Sequence, residues 1–398
     1  MPDGSSTKLK GTVVVEAKAR HYGLDWLRIG AFGLLILYHI GMFFVPWEWH
    51  VKTARPLDWV AIPMLATNSW RLALLFLVSG FASATILKRN RSTAHFLRER
   101  SVRLMIPVTA AAVLIIPPQL WVELIVKHDY ARDLIDFWLN DYFRFGELGG
   151  LVMPTWQHLW FVVYLWVYTL ALALLSRFDL TPVQALFDRL FGGIGLLLIP
   201  MAWGLVVTFW LGRGVPITHG LFDDPTAHLT YVPAFLFGAG LASSPVVLTA
   251  ARRWWKVAAL LAVAAFAVVV LVELQWPGTR VAPPGPSDWV RGARAIQGWA
   301  AIVALIGIAD HYWNRDHPWR ATLTEAVFPF YIIHQTIIVW LGWYLLRFAL
   351  PAAVEFAILL AATSVGCALF YWAGRSVGWV RPLIGLRRSY STPSASSA

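Results

Sequence analysis

Cysteine is almost absent: the 398-residue chain has one, Cys367, and it stands in an apolar run. That excludes an intrachain disulfide and any cysteine-built metal cluster, and leaves the thiol as a small buried hydrophobe. Charge is scarce too, at 14% of residues against 58% hydrophobic ones, where a soluble domain carries roughly 25% charge. With a mean hydropathy of +0.60, the composition excludes a water-soluble core and points to a membrane. Familiar catalytic kits are missing as well. There is no glycine-rich phosphate loop, no nucleophile elbow and no H-E-x-x-H pair, so nucleotide hydrolysis, serine-hydrolase chemistry and zinc proteolysis have no motif to rest on. No metal site is expected. No internal repeat is visible, nor an inverted pair of broken helices of the kind that marks many secondary transporters. The opening stretch MPDGSSTKLKGTVVVEAKAR lacks an apolar run with a cleavage site and is expected to be a cytoplasmic tail, not a signal peptide.

What remains is a series of apolar runs. Stretches of roughly twenty residues, long enough to cross a bilayer, fall near 27–46, 68–87, 103–126, 157–176, 190–211, 229–249, 256–275, 294–312, 325–346 and 350–373. The expected fold is all-α, a polytopic bundle of about ten transmembrane helices with both termini in the cytoplasm. Its parts would be an N-terminal tail (1–24), a transmembrane domain (25–375) and a partly disordered C-terminal tail (376–398) ending in STPSASSA. The even-numbered gaps hold Lys88, Arg89, Arg91, Arg98, Arg100, Arg103, Arg177, Arg189, Arg252, Arg253, Lys256, Arg315 and Arg320, and the tails add Lys8, Lys10, Lys18, Arg20, Arg375, Arg381, Arg387 and Arg388. The opposite loops, around 47–67, 127–156, 212–228 and 276–293, are poorer in cations, as the positive-inside rule requires. Much of the +11 net charge is then topological and needs no nucleic-acid partner.

Against this background a few polar residues stand out. Arg28 and His39 share the run GLDWLRIGAFGLLILYHIGMFF, and eleven residues advance a helix by about 16 Å in nearly whole turns, so both project from one face. An imidazole in a bilayer costs free energy and marks a functional interior or a water-filled path; an interhelical hydrogen bond is the alternative role. His334 follows FPFYII, with Tyr331 one turn earlier, and its depth allows a polar pair with His39. Arg100 and Arg103, three apart on one helix face, and nearby Arg98 suit phosphate oxygens, or serve as a topology anchor. His158, in TWQHLWF, is expected at the external mouth of a helix as a solvated surface residue, and Glu48 and His50, in PWEWHV, also fall outside. Arg71 lies near an external helix end, where it either turns inward to an anion or snorkels to the interface. Ser79 and Gly80 in LVSGF read as close helix packing.

Arg28 and His39 with ten residues between them, LVSGF, Arg100-x-x-Arg103, HLWF at 158–161, YVPAFLFGAG at 231–240 and YIIH at 331–334 occur in that order. The ordered set resembles the membrane acyltransferase family 3 over residues 22 to about 375. The resemblance implies an enzyme that takes an acyl group from cytoplasmic acyl-CoA, succinyl-CoA or acetyl-CoA, and delivers it to a periplasmic or surface glycan. It implies His39 as the catalytic residue, Arg28 as its motif partner, and Arg100 and Arg103 near the coenzyme entry. The WEWHV stretch and Arg71 suggest a succinyl group and a periplasmic glucan, with Arg71 on the acyl carboxylate. Glu48, His50, His158, Tyr331 and His334 complete the expected substrate site. His39 is then either a general base or an acyl carrier. A transporter or flippase using His39 as a gating or proton-relay group is the reading from another class.

Overall fold

The computed structural model describes residues 21–90 and 92–387. Lys8, Lys10, Lys18, Arg20, Arg91, Arg388 and the stretch STPSASSA lie outside the described residues. The chain is a polytopic helical bundle. Among the described residues the only strands are a short hairpin, in which β1 (Gly146–Leu148) runs antiparallel to β2 (Leu151–Met153) with Gly146 opposite Met153.

Helix α1 (Tyr22–Phe44) is one unbroken element, since its sequence contains no proline, and it stops where Val45 turns extended ahead of Pro46, as pre-proline residues do. Next come α2 (Ala61–Asn68), α3 (Arg71–Arg89), α4 (Thr93–Leu114), α5 (Pro117–His128), the single turn α6 (Leu134–Asp136), α7 (Trp160–Leu175), α8 (Thr181–Phe191), α9 (Gly195–Val206) and α10 (Pro225–Leu241). The bundle closes with α11 (Pro245–Gln275), α12 (Pro284–Tyr312), α13 (Pro318–Leu345) and α14 (Ala352–Ser376). Among the described residues eight stretches are long and apolar enough to cross a membrane, or nine if a bent pair is one span.

Three expectations change in detail. Residues 61–67, expected in an external loop, belong to α2, which continues into α3 across a short break at Ser69–Trp70. The run expected at 190–211 does not start as a straight rod: α8 meets the helix that follows it at 96°. The sequence Phe191-Gly192-Gly193-Ile194 explains the corner, because paired glycines give the helix neither propensity nor side-chain packing. Helix α10, the counterpart of the expected span at 229–249, has only 17 residues.

Helix α1 is central and packs on α3, α12 and α13, while α3 lies along α10 and α11 along α12. The α3–α10 seam shows why LVSGF and YVPAFLFGAG carry glycine. A Cβ on Gly80 would collide with the backbone oxygen of Phe235, and one on Gly238 with that of Leu77, so each helix admits the other's backbone. In a bilayer, where lipid tails remove the hydrophobic drive for helix association, such close packing holds helices together. Gly80→Val is therefore expected to destabilise the purified protein by about 1–3 kcal/mol through overpacking. Gly33→Ala, whose Cβ meets open space, should leave the thermal midpoint unchanged or raise it. Equal midpoints for wild type and Gly80→Val would contradict the seam.

Candidate active site

His39 on α1 meets His334 on α13, with Nδ1 of His39 2.7 Å from Nε2 of His334. The second helix determines which nitrogen carries the proton. His334 Nδ1 lies 2.8 Å from the carbonyl oxygen of Tyr331 and 3.2 Å from that of Phe330, and only an N–H can donate to a carbonyl. In a neutral imidazole the other nitrogen is then an acceptor, so His334 Nε2 accepts from His39 Nδ1–H. The remaining nitrogen, Nε2 of His39, must hold a lone pair. Among the described residues it has no hydrogen-bond partner, and it is not one of the enclosed atoms lacking one. His334 is fully buried, whereas His39 is half-buried and keeps a free side. The geometry thus presents an unprotonated imidazole nitrogen inside the bundle, held by a backbone-anchored relay.

His158 and Tyr331 brace this pair. His158 is buried, not the solvated surface residue expected from its place at a helix start. Its Nε2 donates to the carbonyls of Tyr331 and Ile332 at 3.1 and 3.2 Å, and the Tyr331 hydroxyl donates back to the His158 carbonyl. The reason is tertiary: α7 starts against the middle of α13, so its first turn meets protein where solvent was expected. The His158 ring stands edge-on to His334, 5.3 Å between centroids.

A second polar chain lies beside the first. His50 is buried and donates from Nδ1 to Glu123 Oε2 at 2.5 Å, and its Nε2 faces the Gln335 amide at 2.9 Å. Gln335 also reaches Gln119 at 3.0 Å, and Lys127 closes on Glu123 at 2.9 Å. Glu48, by contrast, leaves its side chain 96% exposed and, among the described residues, pairs with Lys127, so the structure does not bring it to the imidazoles. Arg71 turned inward: it is 2% exposed, donates to Thr67 at 3.1 Å and stacks 3.8 Å over the Tyr38 ring.

The basic group gathers nearer the start of α1. Arg100 donates to buried Ser83 at 3.2 Å and lies within electrostatic reach of Arg103 and Arg28, so α1 and α4 join their cations. Arg98 is exposed. The relay and the basic group are separated along α1 by about eleven residues, or some 16 Å. Glu123, Gln335, Tyr38 and Ser83 were missed in the sequence, although the first two interrupt apolar runs and an ionisable residue in such a run is itself a signal. A cavity of about 1350 Å³ opens between α3, the bent α8–α9 pair, α10 and α12, walled by Leu172, Phe187, Trp203 and Phe237. Among the described residues no cluster is suited to a metal ion.

Buried imidazoles and a separate arginine group place ionisable side chains inside a polytopic helical bundle. Residues 21–372 match the family model described as an acyltransferase domain, and the chain belongs to that family, acyltransferase 3. It is similar to glucans biosynthesis protein C of Salmonella typhi, 27% identical over 152 residues, 38% of this chain and 37% of the relative. It is also similar to the protein of that name from Salmonella paratyphi B, 24% identical over 231 residues, 55% of this chain and 58% of the relative. The chain thus aligns with less than two thirds of these relatives. No solved structure matches.

Outside the spans, Lys52 is a test of the loop that leads into this site. Burial pushes its ammonium down to about 8, with Glu48 opposing and Lys127 assisting, and Nζ donates to the Met42 carbonyl. The unfolded chain holds that proton up to the ordinary lysine value, so the cost to folding is complete below about pH 8 and fades as pH rises towards about 10.5. Lys52→Met should raise the thermal midpoint at pH 7 and flatten its rise between pH 8 and 10. A pH slope identical to wild type would contradict the buried ammonium.

Proposed function

We propose that this protein is a multi-pass O-acyltransferase of the bacterial inner membrane that moves a succinyl or acetyl group from cytoplasmic acyl-CoA to a hydroxyl of a periplasmic or surface glycan. The observation that carries the proposal is the free Nε2 of His39, unprotonated because His334 and the Tyr331 carbonyl occupy the rest of the relay. Family membership and the similarity to proteins named for glucan biosynthesis support the class of reaction and of acceptor.

In this reading both termini are cytoplasmic and the ten apolar segments all contribute to the crossing domain, α10 and the bent α8–α9 pair included. Coenzyme A is too anionic to enter lipid, so its phosphates stay with Arg100, Arg103 and Arg98. Arg28, at the same end of α1 as this group, keeps the donor arm directed along the helix towards His39. The thioester carbonyl then lies beside the imidazole, and the acceptor approaches from the side of His50 and Glu48. His39 Nε2 takes the hydroxyl proton as the oxygen attacks the carbonyl carbon. The tetrahedral adduct collapses with cleavage of the C–S bond, and the imidazolium returns its proton to the departing thiolate, so no net proton is consumed. His334 accepts from Nδ1–H throughout and stabilises the imidazolium, with His158 and Tyr331 as positioning residues. An acyl-histidine at the same Nε2 is the covalent variant of this path.

His39→Ala should leave membrane insertion and thermal stability near wild type and lower acyl transfer by about 10²- to 10⁴-fold, the usual worth of a general base. Retention of more than a tenth of wild-type turnover would remove His39 from both chemical roles. His334→Ala should cost less, and His334→Gln, which restores a carbonyl acceptor for Nδ1–H, should recover part of the loss; equal activities of the two variants would argue against the relay. Arg100→Ala and Arg103→Ala are expected to raise KM for acyl-CoA more than KM for the glycan. Glycan mass spectrometry of a deletion strain tests the acceptor: loss of a succinyl or acetyl mass is expected, and an unchanged acyl content in every glycan excludes a carbohydrate acceptor.

A further inference from the structure

The end of α1 opposite the arginine group borders a second cavity. Beyond Phe44, the chain meets α2 and the junction of α11 with α12 around a space of about 480 Å³, walled by Trp47, Asn68, Glu273, Trp276, Arg280 and Arg294. Its size is that of a small-molecule pocket, and its lining mixes flat aromatic faces with planar polar groups. One rim is held firmly. Gly278 takes φ +70°, and a Cβ there would lie 2.8 Å from the Pro46 ring, so the turn after α11 is seated on the segment that follows α1. Glu273 fastens that turn, its Oε1 accepting from the Gly278 N–H at 2.8 Å. Among the described residues Oε2 of Glu273, the indole N–H groups of Trp47 and Trp276 and the Asn68 amide make no hydrogen bond, and none of these atoms is sealed from the cavity.

An aromatic belt accounts for tryptophans that face lipid, but these two share their space with a carboxylate, an amide and guanidinium groups, which a belt does not require. An indole offers a flat apolar face with a negative quadrupole, suited to the C–H side of a pyranose ring. A carboxylate oxygen accepts from ring hydroxyls, and an amide both donates to them and accepts from them. We propose that this cavity is a subsite for a sugar ring of the acceptor glycan, separate from the ring that is acylated. The inference rests on the acyltransferase reading, which supplies its place in the reaction and its periplasmic opening. None of His39, His158 and His334 lines the cavity, so a ring held there is not the one at the imidazole. The two places are nonetheless close. Helix α1 advances about 7.5 Å from His39 to Phe44, and the three residues on to Trp47 add at most about 11 Å, a span that a few linked sugar units cover. Trp47 leads directly into Glu48 and His50, the side from which the acceptor approaches.

The test uses the full-length protein in nanodiscs, with laminaripentaose, a neutral gluco-oligosaccharide, as the probe. Isothermal titration should show wild type binding the pentaose, and Trp276→Ala and Glu273→Gln should each raise its Kd by about 10-fold, the worth of one stacking face or one hydroxyl bond. Glu273→Gln keeps a carbonyl acceptor for the Gly278 N–H, so this variant separates the subsite from the fold of the turn. In transfer assays Trp276→Ala should raise KM for the pentaose more than it lowers kcat. Absence of pentaose binding by wild type, or an unaltered Kd in folded Trp276→Ala and Glu273→Gln, overturns the subsite and leaves the acyltransferase reading intact. Failure of wild type to consume acyl-CoA defeats that reading instead, and the binding measurements still judge the cavity by the same two outcomes.

Discussion

The hydrogen bond between His39 and His334 is the constraint around which the centre of the bundle is arranged. A pair of imidazoles in an apolar interior is tolerable only if each proton has a defined acceptor, because an unsatisfied polar group there costs several kcal/mol. Helix α13 supplies the end of the chain through the Tyr331 carbonyl, which also accepts from His158. That one oxygen therefore ties α7 to α13, and the imidazole pair ties α13 to α1. Replacing either imidazole of the pair removes the α1–α13 link but leaves the tie through His158 in place, so variants that keep an acceptor report on proton placement and not on the fold.

On the proposed reading, the relay also determines what kind of base His39 would be. A carboxylate partner would leave a net negative charge in the membrane and would have to be neutralised; a second neutral imidazole orients the first without adding charge. The cost is weaker stabilisation of the imidazolium that forms when a proton is taken. His50, bonded to Glu123 and in turn to Lys127, is arranged in the opposite way, as a histidine on an ion-paired carboxylate nearer the loops. The two chains run along neighbouring residues, His334 and Gln335, of one helix. A buried imidazole pair and a charged, braced outer network thus share a single structural support.

Much of this was legible from sequence, and for a physical reason. Spans follow from length and apolarity, and histidines such as His39 and His334 are visible because they interrupt apolar runs; Arg100 and Arg103 stood out by their spacing on one helix face. Gly80 could be read as a packing position, though its partner Gly238 could not be named. What could not be read depends on which helix faces which. His158 seemed solvated because nothing in TWQHLWF reveals that α13 covers it. Arg71 was balanced between lipid interface and interior until the Tyr38 ring beneath it was visible. Arg294 lay unnoticed at the start of an apolar run, where a cation normally reads as a boundary marker.

The bend between α8 and α9 shows how a local break can create function-bearing space. Had residues 181–211 formed one straight rod, their apolar side chains would have packed along α3 and α10 and closed the gap. The glycine pair at 192–193 instead swings α8 away at 96°, leaving Phe187, Phe237 and Trp203 around a cavity of about 1350 Å³. Arg294 lines that cavity and the smaller one as well. The smaller space also holds Glu273 and the larger one Asp188, so each cavity carries a carboxylate in its wall. The short α2–α3 break at Ser69–Trp70 starts a second helix at Arg71 inside the bundle, so a positive helix end lies beside that guanidinium.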